Sequence, residues 1–540
     1  MALTEYPIPE VVLARRTAAA RRWRRPSLLQ LGALAAAGLA VAPLLFVAGL
    51  ALKPAGVGAS AEVLGRYARD TIVLGCGVGL LASVLGAVAA WLVVMHRFPG
   101  RGMFEWALAL PLAAPAYALA YGYADLFDVA GPIKTALRGA GIDAGFLEIR
   151  SLPGAVFVLS AAFYPYVYLT ARSAFVSQSV CALEASRTLG CGPWSAFSRV
   201  ALPLARPAIA AGAALAVMET LADYGAVSYL GVQTLTTGVV RSFSSYGSPE
   251  AAARLSLILL ALAAMLLVIE RGGRRGQGYG AASARWRELP RFELRGVAGW
   301  SAAAFCTTLL CAGLVAPCAW LSIKALASTP EAPRLLRAGA VSLGLAVAGC
   351  ALTTALAALI AFGGRGRPLP ARVASLGYAT PGAVMAIGLL GPATLVWRGA
   401  GAGAAAALAL LLYAYMARLT AAALEPLDAG LTRVTVSMER AARMLGEGES
   451  GALARVHAPL AKGALWTAAL LVFVDVLKEL PATLILRPFN FDTLAVLAHG
   501  YAADERLAQA AWPALLIVLL AAGPVAVLSR QIARSRPGAA

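Results

Sequence analysis

The sequence predicts an all-α polytopic membrane protein with about 12 transmembrane helices, set out as two parallel six-helix repeats. Three observations carry this expectation. Of the 540 residues, 60% are hydrophobic and only 14% charged, against about 25% charged in an average soluble domain, so a soluble fold would lack the charge to cover its surface. The chain holds about a dozen apolar stretches near the ~20 residues that cross a bilayer. A loop in the first half recurs in the second at a shift of 256 residues.

Taken in order, a basic N-terminal segment (1–27) carries Arg15, Arg16, Arg21, Arg22, Arg24 and Arg25. It reads as cytoplasmic, because basic loops stay inside. A first six-helix domain (28–269) follows, with spans expected at Leu28–Leu52, Thr71–Val94, Phe104–Leu126, Gly154–Val176, Ala208–Leu230 and Ala252–Ile269. The first span is too long for the apolar core of a cleavable signal and is expected to be retained. A polar, Gly- and Arg-rich cytoplasmic linker (270–296) precedes a second six-helix domain (297–529). Its spans are expected at Val297–Ile323, Gly339–Phe362, Val373–Trp397, Ala402–Leu424, Ala464–Leu486 and Ala510–Leu528, and a basic tail (530–540) ends the chain.

The net charge of +19, from 46 Lys+Arg against 27 Asp+Glu, sits in short loops between spans. That placement argues against nucleic acid as a partner and for membrane lipid. With both termini cytoplasmic, the basic clusters at Arg97/Arg101, Arg187/Arg199/Arg206, Arg365/Arg367/Arg372 and Arg433/Arg440/Arg443/Arg455 all fall inside, as the positive-inside rule requires. The seven cysteines form no CxxC pair and read as small hydrophobes rather than disulfides or metal ligands. His96, His457 and His499 lie far apart in sequence and read as loop residues. No GxxxxGK[ST] phosphate loop occurs, so any ATP hydrolysis must come from another chain. No catalytic set is present, and no cofactor or metal is expected on this chain.

The repeat pairs LEASRTLGCGPWSAFSRVALPLA, 183–205, with ERAARMLGEGESGALARVHAPLA, 439–461; 11 of 23 positions are identical. Each copy follows the fourth span of its half. Each reads as a short helix closed by a glycine, Gly190 or Gly446, in the left-handed conformation that ends helices. A second short stretch is expected to stop at Pro203 or Pro459. Because six is even, both halves cross in the same sense, and the repeats should be related by an axis along the membrane normal.

This loop resembles the one in permeases of binding-protein-dependent ABC importers, through Glu184, Ala185, Ser186, Gly190, Val200, Leu202 and Pro203. The second copy departs from the pattern: Glu439 lies one position early, Arg440 takes the acidic place and Ala458 replaces a leucine. The resemblance implies the permease fold of that family and docking of two copies of an ATPase subunit, which carry the ATP. The expected contacts are Glu184, Ala185, Arg187, Gly190 and Pro203 in one half, and Glu439, Ala441, Arg443, Gly446 and Pro459 in the other. It also implies a periplasmic solute-binding protein as partner and the bacterial inner membrane as location.

The fifth span of each half carries acids. Glu219 and Asp223 lie four apart on one helix face, and the 256 shift places Asp475 and Glu479 over them, with Lys478 added. Ionisable groups in a span are costly and usually face a cavity. These residues either line a translocation path near its outer end or cap the helix breaks that Gly225 and Pro481 create. Lys478 can pair with Asp475, leaving Glu479 as the freer acid. The text around them, ETLADYGAVSYLGVQTLTTGVVRSF and KELPATLILRPFNFDTLA, resembles the ferric-iron type of two-domain permease over nearly the whole chain. The resemblance implies iron as solute. Thiamine or phosphonate-type permeases share the architecture, and a secondary transporter of twelve spans is the rival from outside the class. The outer loops Ile133–Leu152 and Thr493–Arg506 are candidate contacts for the binding protein.

Overall fold

In a computed structural model, the structure describes residues 28–54, 60–143, 145–177, 188, 190, 192–274, 291–365, 369–375, 377, 380–400, 403–431, 434 and 436–534. Glu184, Ala185 and Arg187 lie outside the described residues, as do the basic segment 1–27 and most of the linker.

The first half runs through α1 (Leu28–Ala51), α2 (Ala61–Met95), α3 (Arg101–Ala107), α4 (Ala116–Leu126), α5 (Pro132–Gly139), α6 (Leu152–Ser177), α7 (Phe197–Ala222), α8 (Gly225–Tyr229), α9 (Leu235–Ser244) and α10 (Pro249–Arg274). Among the described residues, the second half repeats the order without a counterpart of α5 and with an added helix, α16, after the fourth span. It comprises α11 (Val297–Leu326), α12 (Ala332–Gly363), α13 (Leu369–Ala374), α14 (Gly382–Ala400), α15 (Ala404–Leu431), α16 (Val436–Met444), α17 (Leu453–Leu477), α18 (Pro481–Leu486), α19 (Leu494–Ala503) and α20 (Leu507–Arg534). A parallel two-stranded pairing, β1 (His96–Arg97) with β2 (Phe292–Glu293), ties the end of the linker to the loop after α2.

Of the twelve expected spans, 10 are single helices long and apolar enough to cross a bilayer among the described residues. The third stretch of each half is broken instead. Arg101–Ala113 meets Ala116–Leu126 at 91°. Pro115 causes the bend: the preceding residue, Ala114, is driven to extended backbone (φ −87°, ψ 128°), because the proline ring clashes with a helical neighbour. Pro381 stands in the corresponding place before α14. The fifth span is also divided, since α7 stops at Ala222 and α17 at Leu477, and short α8 and α18 follow.

Two sequence expectations are corrected here. Thr493–Arg506 is not a solvated loop. Most of it is α19, whose Leu494, Ala495, Leu497, Ala498 and Tyr501 are buried, and α9 is its first-half counterpart. Apolar side chains at most positions of a ten-residue helix make it a re-entrant element rather than a surface one. The three histidines are packed rather than lying loose in loops. His96 and His457 are buried, with His96 against Trp91 and His457 stacked on Phe362. His499 Nδ1 lies 3.3 Å from the Tyr121 hydroxyl.

Lipid tails give apolar helices no hydrophobic reason to associate, so close backbone packing at small residues holds the bundle. A Cβ at Gly86 would lie 2.8 Å from the Tyr164 carbonyl, and one at Gly212 would lie 2.7 Å from Val167 Cα; these two glycines set the α2–α6–α7 crossings. The first helix of each half crosses to the other half. α1 packs on α12 and α14, and α11 packs on α4. The crossings match: Gly388 of α14 abuts Pro43 and Val47 of α1, and Gly122 of α4 abuts Pro317 of α11. Lys324 and Trp320 of α11 both reach Asp125 at the end of α4, at 2.8 Å and 2.7 Å.

Gly388→Leu should force α1 off α14 and cost about 1–3 kcal/mol, the usual range for overpacking. Gly38, with nothing within 4 Å of an added Cβ, should tolerate Ala and gain about 0.5–1 kcal/mol from the stiffer helix. Thermal unfolding of the two detergent-purified variants checks both, and equal melting temperatures would refute the close-approach assignment.

Candidate functional site

The breaks in the fifth spans build the site. α7 ends as Asp223 turns extended (φ −70°, ψ 130°). Asp223 Oδ1 then accepts the Ala226 and Val227 N–H groups at 2.9 and 3.1 Å, capping α8. The second half does the same: Glu479 Oε1 accepts the Ala482 N–H at 3.0 Å at the start of α18. A helix start leaves N–H groups without intrahelical partners, and a carboxylate is a strong acceptor for them. Asp223 and Glu479 therefore cap the breaks, as one of the two sequence readings held. Asp223 does not share a continuous helix face with Glu219, because the helix has already ended.

The capping acids also lie where the halves meet. Gly225 packs so closely on the opposite half that an added Cβ would stand 2.8 Å from Leu480 Cδ2. Beside this contact lies a cavity of about 310 Å³. Both halves line it, the first through α4, α6 and α7, the second through α15, α17 and α20. All five sequence candidates, Glu219, Asp223, Asp475, Lys478 and Glu479, open onto it. So do Arg418 and Glu425 of α15, which the sequence analysis missed. Arg418 was legible as an arginine inside an apolar span, a placement that usually marks function.

Lys478 pairs with Asp475 at 2.9 Å, as expected from the i,i+3 spacing. Glu479 is not the freer acid. It is 6% exposed and forms an ion pair with Arg418. A Cβ at Gly382, the first residue of α14, would collide with its carboxylate. The sequence could not show this, because Arg418 and Glu479 are 61 positions apart. Glu219 makes no ion pair or hydrogen bond among the described residues.

The repeated loops carry the other candidates. Gly190 and Gly446 have φ of +78° and +84°, the left-handed conformation expected of them. Gly446 closes α16 with two bonds, Glu447 N–H to the Ala442 carbonyl and Gly446 N–H to the Arg443 carbonyl, both 3.1 Å. This is a Schellman end. Ala441 and Arg443 are exposed on α16, and the apolar Met444 and Leu445 beyond them are 89% and 83% exposed. Glu439 lies within α16.

Pro203 and Pro459 do not stop a helix. They sit just inside the straight part of α7 and α17, each preceded by a five-residue π-turn, Phe197–Ala201 and Leu453–His457. A proline cannot donate to the carbonyl four residues back. The wider turn lets the Leu202 N–H reach the Phe197 carbonyl, and the Ala458 N–H the Leu453 carbonyl. The two turns coincide under the 256 shift.

Comparison with known proteins agrees with this architecture. Residues 82–271 match the family model described as "Binding-protein-dependent transport system inner membrane component". The chain is 24% identical over 472 residues to a Fe(3+)-transport system permease protein, FbpB 2, of Haemophilus influenzae, covering 85% of this chain and 89% of the relative. It is 30% identical over 211 residues to the molybdenum transport system permease protein ModB of Escherichia coli, 36% of this chain and 90% of the relative. It is 27% identical over 228 residues to the sulfate transport system permease protein CysT of Escherichia coli, 40% and 80%.

The chain therefore belongs to the inner-membrane components of binding-protein-dependent transport systems. Within them it is a fused two-domain permease, and it is a transport subunit of an ABC importer. That membership removes the secondary-transporter reading.

Arg418→Met should leave Glu479 buried without its cation and destabilise the protein by about 3–5 kcal/mol, the cost of breaking a buried pair from one side. Arg418→Met combined with Glu479→Gln should recover part of that loss. Thermal unfolding of the single and double variants measures it, and two additive losses would show that the residues do not interact.

Proposed function

We propose that this permease moves ferric iron from a periplasmic binding protein to the cytoplasm, driven by two copies of an ATPase subunit that hold the ATP. The observation that carries the choice of solute is the charge of the cavity between the halves. Five carboxylates (Glu219, Asp223, Glu425, Asp475, Glu479) face two cationic side chains, Arg418 and Lys478. That formal excess of negative charge lowers the barrier to a cation in a poorly screened site. A sulfate ion would be repelled there. A relative aligned across both halves is named for Fe(3+).

The ATPase reading is supported by the Gly190 and Gly446 loops and by the exposed apolar pair Met444 and Leu445 beside the second of them, a natural contact for another chain. Glu184, Ala185, Arg187 and Pro203, with Glu439, Ala441, Arg443 and Pro459, complete the proposed docking loops. In this arrangement both termini are cytoplasmic, the domains run 28–269 and 297–529, and the cavity acids lie toward the outer side.

Uptake of labelled ferric iron by vesicles carrying the full complex tests the solute. Uptake of thiamine or a phosphonate without iron would overturn iron and leave the importer class intact. Gly190→Val with Gly446→Val should strain both loops by about 1–2 kcal/mol each, because β-branched residues resist positive φ. The double variant should insert in the membrane yet lose ATPase co-purification, and normal co-purification would refute the docking assignment.

A further inference from the structure

We propose that the first half alone supplies a transit site for a hard multivalent metal cation. Its donors are the carboxylates of Glu219 and Asp223 and the hydroxyl of Tyr117, while Lys478 and Arg418 pair with Asp475 and Glu479 of the second half. The proposal rests on the cation reading above and deepens it.

The two halves share a backbone plan but not a charge plan. The 256 shift sets Glu219 over Asp475, Ala222 over Lys478 and Asp223 over Glu479. The shift that superposes the starts of α6 and α15, Leu152 on Ala404, sets Tyr166 over Arg418. The second half thus has a cation at each of the two positions where the first half has Ala222 and Tyr166. Both cations are engaged, Lys478 by Asp475 and Arg418 by Glu479. Glu219 lies near both cations but forms no ion pair within 4 Å with either among the described residues. Asp223 uses Oδ1 for both of its caps, which leaves Oδ2 for another ligand.

Tyr117 is the independent observation. It is 3% exposed, lines the same cavity, and its hydroxyl has no hydrogen-bond partner among the described residues. Buried polar groups are nearly always paired, so an orphan beside a cavity points to a partner that visits it. Hard cations take oxygen ligands, carboxylate oxygens above all. Two carboxylates and a phenol oxygen match that preference, and none of the three is in an ion pair among the described residues.

The pseudo-symmetry supplies the test. Ala222→Lys places an ammonium three residues after Glu219, as Lys478 stands after Asp475, and should quench Glu219 by pairing it. In the complex reconstituted with its ATPase and binding protein, labelled ferric iron uptake per complex should fall about tenfold or more for Ala222→Lys and for Glu219→Gln. Ala222→Met, of similar length and no charge, should keep most of the uptake; an equal loss there would assign the effect to bulk and overturn the charge argument. Tyr117→Phe removes one oxygen without changing the packing, so it folds where a charge variant does not, and a several-fold loss is expected. Wild-type uptake by Glu219→Gln or Tyr117→Phe would overturn the transit site and leave the importer reading standing. A wild-type complex that takes up no iron would overturn both.

Discussion

A peptide group at the depth of a bilayer has no water to bond, so each break in a spanning helix needs an internal partner. This chain breaks its helices repeatedly in the same region and supplies those partners from side chains. Asp223 and Glu479 cap α8 and α18. Thr234 and Thr493 cap α9 and α19. The first N–H of each re-entrant helix, at Leu235 and Leu494, is received by a hydroxyl from the second span of its half, Thr71 at 2.9 Å and Ser342 at 2.8 Å. The breaks end where the halves meet, and the ends of the broken helices shape the cavity. Two of the groups that satisfy the backbone, Asp223 and Glu479, are thus among those that give the cavity its charge.

The scaffold around the breaks is held by contact distance. Glycine at the helix crossings brings backbone against backbone, and each half lends its first helix to the other, so neither half is complete by itself. Movement of one half against the other must carry α1 and α11 with it. The π-turns before Pro203 and Pro459 sit between the repeated loops and the long stems of α7 and α17. Each π-turn thus joins a repeated loop to the helix that ends at the cavity.

Duplication with divergence accounts for the charge distribution. The backbone devices are kept in both copies, because losing one would leave N–H groups unpaired in a medium that penalises it heavily. Cavity-facing side chains other than the capping Asp223 and Glu479 carry no such obligation. There the second half has Arg418 and Lys478, and the first has Tyr166 and Ala222. The pseudo-twofold symmetry of the fold does not extend to its electrostatics.

The sequence by itself determined ten of the twelve spans, the duplication, the left-handed glycines at 190 and 446, and the gathering of Glu219, Asp223, Asp475 and Lys478 in one region. All of these follow from local periodicity, from the energetics of charge in an apolar span, or from text repeated at a fixed shift. Only the tertiary structure decided that Arg418 takes Glu479, that Tyr117 is left with an orphan hydroxyl, that each first helix serves the opposite half, and that Pro203 and Pro459 widen a turn instead of ending a helix. The physical reason is distance along the chain. Capping and periodicity act over three or four residues, whereas Arg418 and Glu479 meet across 61 positions. Whether a carboxylate in a membrane is a cap, a locked pair or an open ligand depends on what packs against it from another helix.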